Sequence, residues 1–191
     1  MAIETRAKIL KAASDLLVEE GINALNVRAI SSKAGMSTIG IYRRFGDRQG
    51  VLDALCQEGW ARLRDTMNAC DSDGSPKEVI MRRIEVYVDI ANDYPAHYQL
   101  MFEASTRGYK PSADTRALAR ETFQEVLDGV ATLPDLTVDS DLLAIELLGL
   151  THGLLTVGVH PNKGILRVKD WRSAILSACS AHIEARTGPV S

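Results

Sequence analysis

Cysteine is scarce in this sequence of 191 residues. The three cysteines, Cys56, Cys70 and Cys179, lie far apart, form no C-x-x-C pair and have no histidine at metal-ligand spacing. This pattern argues against a disulfide scaffold or a structural zinc site and is typical of a reducing cytoplasm. The first ten residues, MAIETRAKIL, carry charge where a signal peptide needs an apolar segment. We therefore expect a cytoplasmic protein that is not exported.

Catalytic and cofactor-binding motifs are also missing. The sequence has no glycine-rich phosphate loop, no cluster of metal-ligating residue types, and no nucleophile spaced with a base and an orienting partner. We expect neither an enzyme nor a bound cofactor or metal. An enzyme that uses an all-α carboxy-terminal body is the alternative.

Long apolar runs are limited to one segment, residues 142–159. Glu146, His152 and three glycines interrupt it, although its length approaches that of a membrane span. We expect a helix buried on most of its sides and no membrane partner. His152 fits a core or interface histidine better than a ligand-sensing one.

Excess charge is small overall but unevenly distributed. The net charge is −3, yet residues 1–50 carry eight Lys/Arg against five Asp/Glu, and residues 51–191 carry fourteen against twenty. A basic end on an acidic body indicates two parts with different partners, and only the basic end suits a polyanion.

Alternating strand patterns are absent, whereas helical spacing of apolar residues recurs along the chain. The sequence predicts an all-α protein. Gly21 and Gly35 are expected to end the first two helices. Expected N-caps of later helices are Asn26, Ser37, Asp47, Ser75, Asp139 and Asp170.

The segment VRAISSKAGMSTIGIYRRFGDR, residues 27–48, predicts two short helices around the Gly35 turn. Two such helices packed on a preceding one form a helix-turn-helix, whose second helix enters the DNA major groove with its amino-terminal end. Arg28 adds to the positive charge of this segment and is also an expected DNA-binding residue. The expected groove residues are Ser37, Thr38, Ile39 and Gly40, and the expected phosphate contacts are Tyr42, Arg43, Arg44 and Arg48.

These residues also carry a family resemblance. Asn26-Val27, the Ala34–Ser37 turn, Ile41-Tyr42, Phe45 and Arg48 resemble the DNA-binding pattern of TetR family transcriptional regulators. The resemblance implies a three-helix DNA-binding domain at residues 1–48 and a helical ligand-binding and dimerisation domain at 49–191. It also implies a regulator, a repressor released from a palindromic operator on double-stranded DNA by a small hydrophobic effector. A DNA-binding dimer without a small-molecule inducer is the alternative.

A ligand pocket among the later helices is a further implication of the resemblance. Its candidate residues also fit an ordinary helical core. They are Trp60, Leu63, Met67, Tyr87, Phe102, Phe123 and His152.

The last two helices predict a homodimer. Residues 142–159 hold too few polar side chains for a solvated helix, and residues 170–186 add a second apolar stripe with small residues. Two copies of this pair would form an isologous four-helix interface. The expected interface residues are Leu147, Leu150, Leu154, Trp171, Ile175, Ala178 and His182.

Overall fold

The computed structural model describes residues 2–70, 73–102, 108–159 and 170–188, and in these ranges the regular structure is helical. The expected all-α class is confirmed. The helices are α1 (Ala2–Glu20), α2 (Val27–Ala34), α3 (Thr38–Phe45), α4 (Arg48–Asn68), α5 (Pro76–Asp93), α6 (Pro95–Phe102), α7 (Ala113–Val130), α8 (Ser140–Val159) and α9 (Trp171–Arg186).

The helices divide into two compact units. Unit 1 comprises Met1–Arg62 and Asp93–Ala119, and unit 2 comprises Leu63–Asn92 and Arg120–Ser191. Helices α4 and α7 contribute residues to both, and the last residue of α5, Asp93, belongs to unit 1.

Unit 1 is built around α1. The helical spacing of its apolar residues gives it one buried face, and α2 and α6 pack on this helix. Ile30 of α2 and Ile41 of α3 are fully buried, so each short helix is fixed by one aliphatic anchor. The core of unit 1 includes Ile9, Leu10, Leu17, Ile30, Ile41, Leu52 and Leu55.

Unit 2 is built around the antiparallel packing of α8 on α9. Thr151 meets Cys179 near the middle of the pair, and Glu146 bonds to Arg186 at one end. The core of unit 2 includes Val88, Leu143, Leu147, Leu155, Ile175 and Ile183.

The helix ends follow local hydrogen-bonding chemistry. Asn26 Oδ1 accepts a 2.9 Å bond from the backbone N–H of Ala29, and Asp170 Oδ1 accepts one of the same length from Ser173. Gly35 adopts a left-handed conformation with φ 63°, in which its N–H reaches the carbonyls at the end of α2. Side chains at these ends thus satisfy donors that a helix leaves free.

Ser75 and Glu78 form a reciprocal cap at the start of α5. The N–H of Ser75 donates to Glu78 Oε2 at 2.7 Å, and the N–H of Glu78 donates to Ser75 Oγ at 3.3 Å. Ser37 behaves differently. It occupies the position before α3, but its hydroxyl makes no capping bond.

Candidate nucleic-acid interface

The α2–α3 pair has the geometry of a helix-turn-helix. Gly35 makes the tight turn between the helices, and buried Ile30 and Ile41 hold them against the core of unit 1. The turn requires positive φ, which a glycine adopts without steric cost. The opposite face of α3 is therefore turned towards solvent.

The solvent face of α3 carries most of the expected DNA-contacting residues. Ser37, Arg43 and Arg44 are exposed, and the exposed fractions of Ile39 and Tyr42 are 67% and 54%. Large apolar side chains are costly to leave in water, so their exposure on one helix face indicates a surface that meets a partner.

Thr38 and Gly40 are half-buried on the same helix. A Cβ built at Gly40 would have the Met36 methyl carbon at 3.6 Å as its nearest neighbour, which is an ordinary contact distance. The glycine is therefore not required by packing.

Exposed cations flank this face. The guanidinium groups of Arg28 and Arg43 have no ion pair or hydrogen bond within the part of the chain that the structure describes, and that of Arg44 donates only to the Gly40 carbonyl, at 3.2 Å. Guanidinium groups in this state can bind phosphate oxygens without first breaking a protein contact.

Arg48 differs from the expectation of a free phosphate-binding side chain. It is half-buried, its Nε donates to the carbonyl of Leu25, and its Nη2 donates to that of Ile22 at 2.7 Å. The guanidinium thereby joins the start of α4 to the turn between α1 and α2. Lys33 is also occupied, because it pairs with Glu19.

Arg6 of α1 links Glu58 of α4 to Phe45 at the end of α3. Arg6 Nη1 lies 2.8 Å from Glu58 Oε1, and its guanidinium carbon lies 5.8 Å from the centre of the Phe45 ring. The imidazole of His97, 3.7 Å from the same carboxylate, and the Arg6 guanidinium lower the pKa of Glu58. These residues connect α1, α4 and α6 near the end of α3.

Asp53 is the centre of a second network in unit 1. Its Oδ1 accepts bonds of 2.7 Å from the Tyr109 hydroxyl, 2.9 Å from the Ser112 N–H and 2.8 Å from the Thr115 hydroxyl. Burial opposes ionisation, but these bonds outweigh it and lower the pKa of Asp53. The network anchors the start of α7 to α4.

The buried cysteines fit inert packing. Burial raises the pKa of the Cys56 thiol to about 11 and also raises that of Cys179. At neutral pH both are thiols rather than reactive thiolates.

The expected effector-contacting residues fall into two groups. In unit 1, the rings of Trp60 and Phe102 are 5.3 Å apart. In unit 2, the Tyr87 hydroxyl lies 3.5 Å from Nδ1 of His152. Leu63 and Met67 are buried, and Phe123 is half-buried.

The residues expected at the dimer interface differ in their exposure. Leu147 and Ile175 are 4% and 0% exposed because they pack inside unit 2, so they cannot offer an intermolecular surface. His182 bonds to Glu146 at 2.8 Å. The remaining four residues, Leu150, Leu154, Trp171 and Ala178, are half-buried.

The exposed stripe of α8 lies elsewhere on the helix than expected. Ile145 is 64% exposed, and Leu142 and Val157 are also exposed. Gly149 and Gly153 lie between them on this stripe, with open space at their Cβ positions. The spacing of these residues by three and four could have predicted the stripe, but only packing shows which side of an apolar helix faces outwards.

The α8 segment Ser140–Gly158 is long and apolar enough to cross a membrane, by length and composition alone. Glu146, near the start of that segment, is bonded to both His182 and Arg186 of α9. A helix that packs on a polar, charged neighbour in this way is typical of a protein interior or interface.

Comparison with known proteins gives a family match for the amino-terminal region. Residues 9–55 match the family model described as "Bacterial regulatory proteins, tetR family". This range contains α2, α3 and most of α1. An uncharacterised HTH-type transcriptional regulator of Mycobacterium tuberculosis, Rv2250c, is 24% identical over 86 residues, which cover 45% of this chain and 44% of the relative. The chain thus matches less than half of that relative's length.

Solved structures share the fold over nearly the whole chain. A protein of unknown function from Rhodococcus sp. RHA1 has a TM-score of 0.78 at 19% identity, with 96% of each chain covered. The TetR family transcriptional regulator PfmR from Thermus thermophilus has a TM-score of 0.71 at 16% identity, covering 96% of this chain and 99% of its own. At these identities the likeness establishes a shared arrangement of helices.

Proposed function

Because this chain belongs to the tetR family of bacterial regulatory proteins, we propose that it is a transcriptional regulator that binds double-stranded DNA as a homodimer. Family membership implies a DNA-binding protein rather than an enzyme, and a cytoplasmic one. We further propose residues 1–48 as the DNA-binding domain and 49–191 as the regulatory domain.

The observation that best supports the proposal is the exposed face of α3 with an unpaired arginine beside it. Its apolar and aromatic side chains Ile39 and Tyr42 are exposed, and the nearby guanidinium of Arg43 has no described partner. An exposed face with unpaired cations at its edge suits a helix that enters the major groove while its neighbours bind phosphates.

Base reading is proposed for the start of α3 and phosphate binding for its surroundings. Ser37, Thr38, Ile39 and Gly40 form the groove-facing end. Arg28, Tyr42, Arg43 and Arg44 are proposed to contact phosphates. Arg48 is proposed to act indirectly, because its hydrogen bonds hold the turn before α2 and thereby orient the helix-turn-helix.

The proposed dimer uses the outward stripe of α8 and the neighbouring part of α9. Leu142, Ile145 and Val157 provide apolar area, and Gly149 and Gly153 permit close approach of a partner helix. A two-fold copy would present the same stripe, so the interface would be self-complementary. A two-fold dimer has two copies of α3, as required to read two half-sites about 34–36 Å apart.

A small-molecule effector is proposed to release the protein from its operator, which makes it a repressor. An effector that binds better to a conformation unfit for DNA must weaken DNA binding by the same factor that DNA weakens effector binding. Two separate groups are proposed as effector contacts, Trp60 with Phe102 in unit 1 and Tyr87 with His152 in unit 2.

Selection of duplexes from a random library tests the proposal. The full-length protein should enrich a near-palindromic sequence with two half-sites one helical turn apart. An Arg43→Ala variant should bind the enriched duplex more weakly, whereas Arg120→Ala, which removes an exposed arginine in unit 2, should not. Recovery of unrelated sequences without symmetry would reject the proposal.

A further inference from the structure

We infer that the effector carries a carboxylate and that Arg83 of α5 binds it. This inference rests on the proposed function and specifies the chemistry of the ligand. It starts from a cation that unit 2 holds between α5 and α7 without a matching acid.

The position of Arg83 is built by α7. Its Nη1 donates a 3.1 Å bond to the carbonyl of Glu125. Gly129 makes room for it, because a Cβ at that position would lie 2.5 Å from Nη1. The guanidinium is therefore held in one orientation rather than free to turn towards solvent.

One edge of this guanidinium has no partner. Nε is buried without a hydrogen-bond acceptor, and Nη2 forms no hydrogen bond, within the described ranges of the chain. The Nε–Nη2 edge presents two parallel N–H groups, the geometry that binds both oxygens of a carboxylate.

Arg83 forms no salt bridge with the acids that follow it on α5. Glu85 and Asp89 pair instead with Arg172, at 3.6 and 2.9 Å. Among the described residues, no acid lies within ion-pair distance of Arg83. A partly buried cation without a counter-charge destabilises a protein, which is typical of a group kept for a ligand.

A row of polar groups continues from Arg83. Tyr87 is one helical turn along α5, and its hydroxyl meets His152 of α8 at 3.5 Å. Thr156 is one turn further along α8, and its hydroxyl oxygen is buried without a partner among the described residues.

The direction of the helices sets the length of this row. Lys77 contacts Glu184 and Asp89 contacts Arg172, so α5 is antiparallel to α9. Because α8 is also antiparallel to α9, α5 and α8 are parallel. Arg83 then lies before the Tyr87–His152 contact and Thr156 after it, on the order of 6–12 Å apart along the helices from a rise of 1.5 Å per residue.

The inferred ligand class follows from these positions. A carboxylate would bind the Nε–Nη2 edge of Arg83, an apolar body would lie among the aliphatic side chains of unit 2, and a hydroxyl or carbonyl oxygen would reach Thr156. A molecule with a neutral head group would leave the guanidinium unpaired and bind more weakly.

The first test needs no ligand. Arg83→Met removes the charge and keeps the length of the side chain, so it should raise the midpoint of thermal unfolding by about 2–4 °C. Arg120→Met, at an exposed position in the same unit, should leave it unchanged. A purely structural role for Arg83 predicts the opposite, a fall in the midpoint, and that result would contradict the inference.

The second test uses three probes in calorimetric titrations: octanoate, octanamide and 8-hydroxyoctanoate. Wild-type protein should bind octanoate at least about 10-fold more tightly than octanamide, by the strength of a charge-assisted pair. It should bind 8-hydroxyoctanoate more tightly again. Arg83→Met should abolish the preference for the acid, and Thr156→Val should abolish only the gain from the terminal hydroxyl.

Equal binding of acid and amide, binding of none of the probes, or an unchanged preference in Arg83→Met would overturn the inference. DNA binding without any probe is measured alongside. Loss of sequence-specific DNA binding would reject the proposed function itself, whereas intact DNA binding without acid preference would reject only the ligand class.

Discussion

Nη2 of Arg48 donates a 2.7 Å hydrogen bond to the carbonyl oxygen of Ile22, and this bond joins the start of α4 to the turn that precedes α2. With the second bond to Leu25, it makes Arg48 part of the framework that holds the helix-turn-helix. This separates Arg48 from the exposed arginines of the same basic segment.

Arg48→Ala should therefore destabilise the protein. Loss of two charge-assisted bonds, with two carbonyls left poorly satisfied, should cost about 2–4 kcal/mol of the free energy of unfolding. Arg43→Ala should leave stability within about 0.5 kcal/mol, since Arg43 is exposed. Urea unfolding of both variants measures this, and equal stabilities would contradict the framework role.

Two glycines should respond oppositely to alanine. A Cβ at Gly40 meets nothing closer than 3.6 Å, so Gly40→Ala should stabilise α3 by up to about 1 kcal/mol. A Cβ at Gly50 would overlap the Phe45 carbonyl oxygen, so Gly50→Ala must displace backbone and should destabilise strongly. The midpoints of thermal unfolding of the two variants measure this difference. A lower midpoint for Gly40→Ala than for the wild-type protein would contradict the open packing around Gly40.

Asp53 should make stability depend on pH in the acid range. Its folded-state pKa is lowered from the ordinary 3.8, so its contribution is present above that value and is lost as pH falls through the folded-state pKa. Asp53→Asn should lower stability at pH 7 by about 2–3 kcal/mol and weaken the acid dependence. Asp114→Asn, an exposed control, should do neither, and an unchanged acid profile in Asp53→Asn would refute the network's role.

The dimer proposal predicts where a charge is harmful. Ile145→Glu should give monomers, because a carboxylate on the outward stripe of α8 would be buried at the interface without a partner. Val18→Glu, at an exposed apolar position of α1, should leave the mass unchanged. Light scattering at micromolar concentration measures the mass of both variants and of the wild-type protein. A monomeric wild-type protein, or a dimeric Ile145→Glu variant, would contradict the interface.

The sequence was most informative where structure depends on local chemistry. The Asn26 and Asp170 caps and the left-handed Gly35 are confirmed, because a cap or a positive φ is determined by a few neighbouring residues. The Ser37 cap bond is absent although the helix begins at the expected residue.

Long-range side-chain partners could not be predicted in this way. The bonds from Arg48 to Ile22 and from Tyr109 to Asp53 join residues 26 and 56 positions apart, so they depend on packing rather than periodicity. For the same reason, helical spacing identified α8 as apolar but not which side contains Leu147 and which contains Ile145.

We expect α3 to read DNA bases while exposed arginines bind the phosphates. Fluorescence anisotropy tests it most directly, with the enriched duplex and variants of each half-site at several salt concentrations. Wild-type affinity should fall with a log–log slope near −0.9 per phosphate neutralised. Arg43→Ala should weaken all duplexes alike and make the slope shallower by about 1, whereas Thr38→Ala should change the preference among duplexes by about 1–3 kcal/mol. Affinity that is independent of salt, or a sequence preference altered by Arg43→Ala but not by Thr38→Ala, would contradict the account.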